Sequence, residues 1–432
     1  NDWIEPDPER VFTTPILTAH WYGRLHAEYL EELEAKCDAL AGLERPILVT
    51  EYGDWGLPSM PAQEQPPFWD PRELYAAALA GSSWPGTIEE FVNETHRYQG
   101  LSNRLQTEIF RRHAHIGGYC LTELTDVPHE LNGLLDIYRR PKPRSVREAT
   151  IANQTVLPML ELDSLVVWAG APVRARLHVA NDGEPLEGCV AHVFFRGGRE
   201  LLTMAELLRL DARELPLEQA LARFDVSVAG LRLDRLPGYR PTDAGEVQVH
   251  APTVPGSHDL VVCLVAADGS TVAENRYPIH VVTRRGDPPP VELLGSGQSR
   301  QAIEAVGARV GAAGPIVVAE GQLDATMRDP IAAALAAGRV VLVLAQAPGT
   351  ESALPLPVRL TAVETAWGSS VFHFTVGHPA LESLPRQSLL VAEESTVQAH
   401  AVVTEVDGTA FPATPVVIAY KPLPGALTGT VV

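Results

Sequence analysis

Residues 46–55 read PILVTEYGDW. The apolar run that follows Pro46 and ends before Gly53 is typical of a strand buried on both faces, as in a parallel sheet. Glu51 stands at the carboxyl end of that strand. In barrels of alternating strands and helices the active site lies at this end, so the position predicts a catalytic carboxylate. The local pattern leaves open an alternative, in which Glu51 caps the next helix or pairs with an arginine.

The sequence before this strand predicts its neighbours. Residues 16–22 read as a strand that carries His20 and Tyr22 on one face, because side chains alternate along a strand. Over residues 25–43 apolar side chains recur at three- and four-residue spacing, which predicts a helix. A strand, a helix and the strand of Glu51 predict a parallel βαβ unit.

The sequence after this strand continues the alternation. Residues 57–86 predict a long loop rich in proline and tryptophan, of the length that is usually functional. Residues 87–114 predict a helix and residues 116–122 a further strand, after which Glu123 and Asp126 follow.

Composition limits the classes of function. The chain has 432 residues, of which 45% are hydrophobic and 20% charged, so we expect a globular protein of several domains at about 100–200 residues each. The net charge of −20 argues against nucleic-acid or anionic-membrane partners, which require a basic surface. No apolar run reaches the ~18 residues of a membrane span, and the acidic first residues do not resemble a signal peptide.

The cysteines give a prediction about the compartment. Cys37, Cys120, Cys189 and Cys263 are widely spaced and form no C-x-x-C pair. We therefore expect free thiols in a reducing compartment, the cytoplasm, with no metal site and no cofactor. A single bridge between Cys189 and Cys263 is the alternative, since both lie in strand-like segments.

Two further domains follow from changes in pattern. Residues 148–284 alternate in short segments separated by turn sequences, which predicts a β-sandwich interrupted by a helical insertion at about residues 201–224. A linker at residues 284–290 leads to residues 285–432, where buried strands and helices predict an open α/β domain of flavodoxin or amidotransferase type. Its partial glycine motif, Gly295-Ser296-Gly297, lacks the third glycine of a dinucleotide site, and no cysteine follows Cys263 to serve as an amidotransferase nucleophile. We expect an accessory role.

Residues 1–147 resemble part of a known family. The motifs, in order, are HWY at 20–22, PILVTEYG at 46–53, GYCLTELTDV at 118–127, ELNGL at 130–134 and RPK at 140–142. Together they are similar to the last three strands of the (β/α)8 barrel in glycoside hydrolase family 2, which includes β-galactosidases and β-glucuronidases. The sandwich then resembles the immunoglobulin-like domains that follow such barrels.

The resemblance implies roles for individual residues. Glu51 matches the catalytic nucleophile, Tyr22 the tyrosine that donates a hydrogen bond to it, and His20 a histidine at the sugar-binding end. Thr122 stands where many members have a tryptophan, so sugar stacking must come from elsewhere. The stacking candidates are Trp55, Trp69 and Trp84, since aromatic faces suit sugar rings, and packing of the long loop is the alternative for each. Glu123 and Asp126, near the end of a neighbouring strand, are the further substrate-binding candidates.

The resemblance also implies a second carboxylate. Retaining hydrolysis needs a nucleophile and a general acid/base about 5–5.5 Å apart. The family carries the acid/base after an asparagine on an earlier strand, and no such pair precedes Glu51 here. Asn93-Glu94 falls in a helical pattern after the nucleophile, and we expect it to point away. The chain would then hold the nucleophile but lack the acid/base strand, and would be inactive by itself.

Three functions remain to be compared. The leading interpretation is a retaining β-glycosidase with a carbohydrate substrate, which would also suit a homo-oligomer. The second is a non-catalytic carbohydrate-binding or scaffold protein. The third, phosphotransfer or redox chemistry in the α/β domain, has only the partial glycine motif behind it.

Overall fold

The computed structural model describes residues 16–22, 27–43, 45–58, 86–127, 130–196, 228–283, 286–305, 307–362, 372–375, 401–406, 409–410, 417–420 and 430–431. The described chain is mixed α/β with many strands. No described helix is long and apolar enough to cross a membrane. The four cysteines are free thiols, so the alternative bridge between Cys189 and Cys263 is not formed.

The N-terminal region is built on a parallel sheet. Its elements are β1 (Leu17–Tyr22), α1 (Ala27–Leu40), β2 (Ile47–Gly53), α2 (Ile88–Arg112) and β3 (Ile116–Leu121). The strands pair in the order β1-β2-β3, all parallel. This confirms the predicted βαβ unit, because consecutive parallel strands need a crossover and here each crossover contains a helix. Membership of a (β/α)8 barrel stays a prediction.

One face of this sheet is covered by helices. Leu33, Cys37 and Leu40 of α1 pack with Ile47 and Val49 of β2 in a single buried cluster. The three- and four-residue spacing in α1 places these side chains on one stripe of the helix. The same cluster includes Ile109 and Phe110 near the end of α2, so the core lies between the sheet and both helices.

Helix α2 begins at a capping box. Thr87 Oγ1 accepts the Glu90 amide at 3.2 Å, and Glu90 Oε2 accepts the Thr87 amide at 2.7 Å. This reciprocal pair satisfies two of the backbone donors that a helix start leaves unpaired. Unusually for a helix of this length, many of the buried residues of α2 are polar, and they position the site described below.

The central region consists of two antiparallel sheets that share a core. After α3 (Pro143–Ala152), the strands are β4 (Val156–Leu162), β5 (Val166–Trp168), β6 (Pro172–Asn181), β7 (Leu186–Arg196), β8 (Val228–Leu236), β9 (Arg240–His250), β10 (Gly256–Val265) and β11 (Thr271–Val282). One sheet pairs in the order β4-β6-β9, and the other in the order β5-β11-β10-β7-β8.

Apolar side chains from both sheets form one cluster, to which Leu177 and Val179 of β6 and Val193, Val262 and Tyr277 of the facing sheet contribute. This is the arrangement of a β-sandwich. Its immunoglobulin-like identity stays a prediction, and the expected helical insertion at residues 201–224 lies outside the described residues. Helix α3 spans the expected boundary between residues 147 and 148.

The C-terminal region starts with a second parallel sheet. The strands β12 (Glu292–Leu294), β13 (Ile316–Val318) and β14 (Val341–Val343) pair in sequence order, with α4 (Gln298–Ala305) and α5 (Arg328–Ala336) between them. The expected α/β pattern is therefore present up to residue 343.

Antiparallel strands follow, which the sequence reading did not separate from the α/β domain. One sheet pairs β15 (Val358–Ala362), β17 (Ala401–Val406) and β18 (Thr409–Ala410); the other pairs β16 (Phe372–Thr375), β19 (Val417–Tyr420) and β20 (Thr430–Val431).

Candidate functional site around Glu51

Glu51 lies near the carboxyl end of β2, directly opposite His20 of β1. The two strands pair Ala19 with Val49 and then His20 with Glu51, because a bulge leaves Thr50 as an extra residue on β2. A bulge redirects the side chains beyond it. As a result His20 and Tyr22, which share one face of β1, both reach the Glu51 carboxylate.

The contacts of Glu51 converge on one oxygen. The Tyr22 hydroxyl donates a hydrogen bond to Glu51 Oε2 at 2.8 Å, which is the bond expected from the sequence. His20 Nδ1 lies 3.5 Å from the same oxygen. Within the part of the chain that the structure describes, these contacts leave Glu51 Oε1 unoccupied. The Glu51 side chain is 43% exposed, so a solute can approach it.

Tyr22 is a donor throughout the physiological pH range. Partial burial, together with the neighbouring Glu51 charge and hydrogen bond, raises the pKa of Tyr22 to about 12, although Thr122 acts in the opposite direction. A protonated phenol can donate to a carboxylate oxygen. The arrangement therefore holds the Glu51 carboxylate in one orientation.

The segment after β3 approaches the same end of the sheet. The Thr122 amide donates to the Tyr52 carbonyl at 2.9 Å, and the Thr122–Glu123 peptide bond is cis. The Glu123 amide donates to the Asn132 carbonyl at 3.3 Å, and the residue is half-buried. Its substrate contact stays a prediction.

Asp126 is the centre of a buried ion pair. Its Oδ1 accepts hydrogen bonds from Lys142 Nζ at 2.7 Å and from the Gly133 amide at 2.8 Å. Lys142 also donates to the carbonyls of Gly56 at 2.8 Å and Leu131 at 3.0 Å. Burial raises the pKa of Asp126 to about 7 against the opposing effect of Lys142. The contacts shown here are structural, and a contact with sugar stays a prediction for Asp126.

The remaining sequence candidates are placed as follows. Trp55 is half-buried in the segment after β2, while Trp69 and Trp84 lie outside the described residues. Glu94 lies on α2, where its carboxylate pairs with Arg97 at 2.8 Å and with Arg144 at 3.5 Å. Two arginines thus pair with the Glu94 carboxylate, which the sequence analysis did not favour as an acid/base.

Sequence reasoning missed a polar stripe on α2 that holds the segment after β2. Its members recur every four residues, at Thr95, Gln99, Asn103 and Thr107. Residues at this spacing lie on one face of a helix. The four-residue spacing could therefore have predicted these contacts. Four polar side chains on the face of a helix that packs against a sheet require buried hydrogen-bond partners.

Each member of the stripe binds the chain around Glu51. Thr107 hydrogen-bonds the Tyr52 hydroxyl at 2.6 Å, and Asn103 Oδ1 accepts the Asp54 amide at 2.7 Å. Gln99 donates to the Asp54 carbonyl at 3.1 Å, and Thr95 Oγ1 accepts the Leu57 amide at 2.9 Å. Helix α2 consequently holds the strand end that carries Glu51, together with the segment that follows it, through four polar side chains.

No cluster of histidine, cysteine or acidic residues that could hold a metal ion occurs among the described residues. Glu51 with its two contacts is a candidate nucleophile or acid/base. A carboxylate in this arrangement can attack an electrophilic carbon while Tyr22 holds its second oxygen.

Comparisons with known proteins give partial similarities. No protein-family model and no curated protein matches the sequence. Glycoside hydrolases are among the similar solved structures. The exo-chitosanase of Amycolatopsis orientalis, in complex with PNP-beta-D-glucosamine, is similar with a TM-score of 0.28 and 15% identity over 48% of this chain and 21% of that chain. The β-glucuronidase of Bacteroides uniformis is similar with a TM-score of 0.23 and 13% identity over 64% of this chain and 27% of that chain.

The similarity extends to other kinds of protein. The CARDB domain of the PF1109 protein from Pyrococcus furiosus, in complex with di-metal ions, gives a TM-score of 0.19 and 12% identity over 30% of this chain and 93% of that chain. This chain spans 21% and 27% of the lengths of the two glycosidases. Likenesses with TM-scores this low indicate no function for this chain.

Proposed function

We propose that the protein acts in retaining hydrolysis of β-glycosides, with Glu51 as the nucleophile and Tyr22 as the residue that orients it. The observation that carries the proposal is the 2.8 Å hydrogen bond from Tyr22 to one oxygen of an exposed carboxylate at a strand's carboxyl end. The ordered motifs of glycoside hydrolase family 2 support the same roles. A carbohydrate substrate, a cytoplasmic location and self-association belong to this proposal.

The chemistry assigns a task to each oxygen of Glu51. Oε1 attacks the anomeric carbon, forming a carbon–oxygen bond as the bond to the leaving group breaks. The leaving oxygen takes a proton from a general acid. The same group, now a base, removes a proton from water, which attacks the glycosyl-enzyme, releases the sugar and restores the carboxylate. Tyr22 remains bound to Oε2, so the attacking oxygen keeps its direction.

The acid/base role is assigned to no residue of the described sheet. The family resemblance places that carboxylate after an asparagine on an earlier strand, while Asp126 and Glu94 are held by Lys142 and by two arginines. The protein by itself is therefore expected to show no turnover of ordinary glycosides, because an alkoxide leaving group must be protonated. Glu123 is the remaining candidate near this end of the sheet.

The decisive experiment bypasses the general acid. Dinitrophenyl β-glycosides with fluorine in place of the hydroxyl beside the anomeric carbon have a leaving group that departs without protonation. They form a slowly hydrolysed adduct with a nucleophile. Galactosyl, glucosyl and glucuronyl forms should be incubated with the protein, and the mass increase should be mapped by peptide sequencing. We expect one glycosyl group on Glu51.

Variants give the controls for this experiment. Glu51→Gln should abolish the adduct, whereas Glu94→Gln should label at the rate of the parent protein. Labelling that survives in Glu51→Gln would refute the assigned nucleophile. Reversible sugar binding without any adduct would favour the alternative, a non-catalytic carbohydrate-binding protein.

A further inference from the structure

A cleft separates the N-terminal sheet from the sandwich, away from Glu51. Its volume is about 450 Å³, which lies within the ~300–1,000 Å³ of ligand pockets. One wall comes from the end of α2 and the start of β3, and the other from the turns that precede β7 and β9. Ile116 at this wall pairs with Ile47, four residues before Glu51, which is roughly 13 Å along the strand.

Tyr239 forms the outer edge of the cleft and is held in an unfavourable backbone conformation. It lies in the turn between β8 and β9 with a φ of 59°, a region that aromatic residues rarely adopt. Its side chain is not retained by packing, because the residue is 73% exposed. An exposed aromatic ring in a strained turn at a cleft is a feature that a bound ligand would explain.

The cleft carries positive charge on an otherwise acidic protein. Arg111 is fixed by hydrogen bonds to Asp182 Oδ2 at 2.7 Å and to the Ala152 carbonyl at 2.6 Å. Arg240 lies on the opposite wall and is exposed. Its guanidinium has no ion pair or hydrogen bond with any residue that the structure describes. His113, also in the lining, is bound to Glu34 at 2.8 Å. Arg240 is therefore available to an anion.

The floor of the cleft is backbone. Gly117 and Gly118 follow Ile116 at the start of β3 and lie in the lining. A Cβ atom placed on Gly117 would make ordinary van der Waals contacts with Pro46, Ile47 and Leu48 at 3.6–3.8 Å. A floor without side chains beside an aromatic edge suits a ring-shaped ligand, whose apolar face can lie against Tyr239.

We propose that this cleft binds a sugar that carries an acidic group, either a carboxylate or a phosphate. Arg240 takes the acidic group through paired N–H donors, Tyr239 covers one face of the ring, and Asp182, whose side chain is 62% exposed, accepts a hydroxyl. The site is separate from Glu51 and does not depend on the function proposed above.

The test uses the full chain and two probes, glucuronate and glucose-6-phosphate, with glucose as the neutral control and AMP as the nucleotide control. Titration calorimetry is carried out up to about 10 mM, which covers the weak affinities of such small ligands. We expect saturable binding of at least one acidic sugar and none of glucose. The probe that binds identifies the acidic group.

Three variants locate the binding. Arg240→Gln should weaken it at least about tenfold, the loss that 1.4 kcal/mol produces, while Arg232→Gln, on β8 and outside the cleft, should leave it unchanged. Tyr239→Gly should also weaken binding, and glycine tolerates the positive φ, so the fold is kept. Glu51→Gln should bind as the parent does, and Arg240→Gln should still form the glycosyl adduct.

Several results would overturn the proposal. These are the absence of binding by both acidic sugars, equal binding of glucose, tighter binding of AMP, or an affinity that Arg240→Gln does not change. None of them would bear on the nucleophile, because that assignment is tested by covalent labelling at Glu51.

Discussion

Glu51 and Glu108 are carboxylates of the same N-terminal region in opposite surroundings. Glu51 is 43% exposed and has Tyr22 and His20 on one oxygen. Glu108 on α2 is buried, with one oxygen accepting from Asn275 at 2.9 Å and the other from Tyr277 at 2.6 Å. The contacts of Glu51 leave Oε1 without a partner among the described residues, whereas Glu108 uses both oxygens to connect α2 to the sandwich.

The surroundings of Glu108 form a closed ionic cluster. Arg104, which is fully buried, donates to Glu148 at 2.9 Å and to Asn275 at 3.3 Å, and lies 3.6 Å from Glu108. Burial raises the pKa of Glu108, although Arg104, Tyr277 and Asn275 oppose the shift. The comparison separates a buried carboxylate that connects the N-terminal region to the sandwich from an exposed carboxylate that has the nucleophile role only as a proposal. Their variants should therefore differ in stability and in activity.

The largest effect is expected from Arg104→Met. Removing this cation leaves Glu108 and Glu148 without their buried partner, which should lower the free energy of unfolding by about 3–5 kcal/mol. Urea denaturation followed by circular dichroism measures the change. Arg300→Met is the matched control, because its pair with Glu304 is exposed and should be worth less than about 1 kcal/mol. Equal losses in the two variants would remove the distinction between buried and exposed pairs.

An effect that develops with pH is expected from His96, which contacts the segment after β2. Its Nε2 contacts the Leu57 carbonyl at 2.6 Å, and burial, assisted by Lys142, lowers its pKa from 6.5 to about 3. A histidine with a lowered pKa contributes stability above its unfolded pKa and loses it as the pH falls. Acidification from pH 6.5 toward 3 should therefore destabilise the protein by up to about 1.4 kcal/mol per pH unit.

The variant His96→Gln isolates this contribution. Glutamine can still donate to Leu57 but does not titrate in this range, so the unfolding free energy should depend less steeply on pH than in the parent protein. Other buried histidines such as His280 titrate in both proteins, and the difference between the two curves removes them. Parallel curves would show that His96 is not the group that titrates.

The smallest effect on stability is expected from Tyr22→Phe. Tyr22 is exposed at the strand end, so the unfolding free energy should change by no more than about 0.5 kcal/mol. Labelling of Glu51 should nevertheless slow by about tenfold or more, because a hydrogen bond to a charged group is worth roughly 1.5–3 kcal/mol. Tyr119→Phe is the control, since that hydroxyl donates to Asn153 at 3.0 Å. A stable Tyr22→Phe protein that labels at the parent rate would contradict the orienting role.

Local patterns in the sequence account for the elements but not for their long-range contacts. The expected strand at residues 16–22 and helix at residues 87–114 agree with Leu17–Tyr22 and Ile88–Arg112 to within two residues. The spacing of apolar residues predicts helices and strands well, because it depends only on residues that are near one another in the sequence. Nothing local indicates that Asn275 meets Glu108, because 167 residues separate them.

The candidate site shows the same division. Glu51 and Tyr22 were predicted through motifs, whereas the bulge that places His20 opposite Glu51 has no sequence signal. The stripe from Thr95 to Thr107 could have been predicted from its four-residue period. The burial of Lys142 could not have been predicted, because lysines are rarely fully buried. It depends on Asp126 and on two backbone carbonyls that belong to other segments of the chain.

The burial of Lys142 has a consequence for chemical labelling. Lysine is rare in this chain, occurring only at Lys36, Lys142 and Lys421. All three donors of the Lys142 ammonium are engaged, so an acylating reagent can reach its nitrogen only while the surrounding segments are open. Lys36 is a reference, because its side chain is 31% exposed and pairs with Glu32 on the same helix. The rate of acylation at Lys142, relative to that at Lys36, therefore reports how often the chain behind Glu51 opens. The protein carries its own reporter of local unfolding at its candidate site.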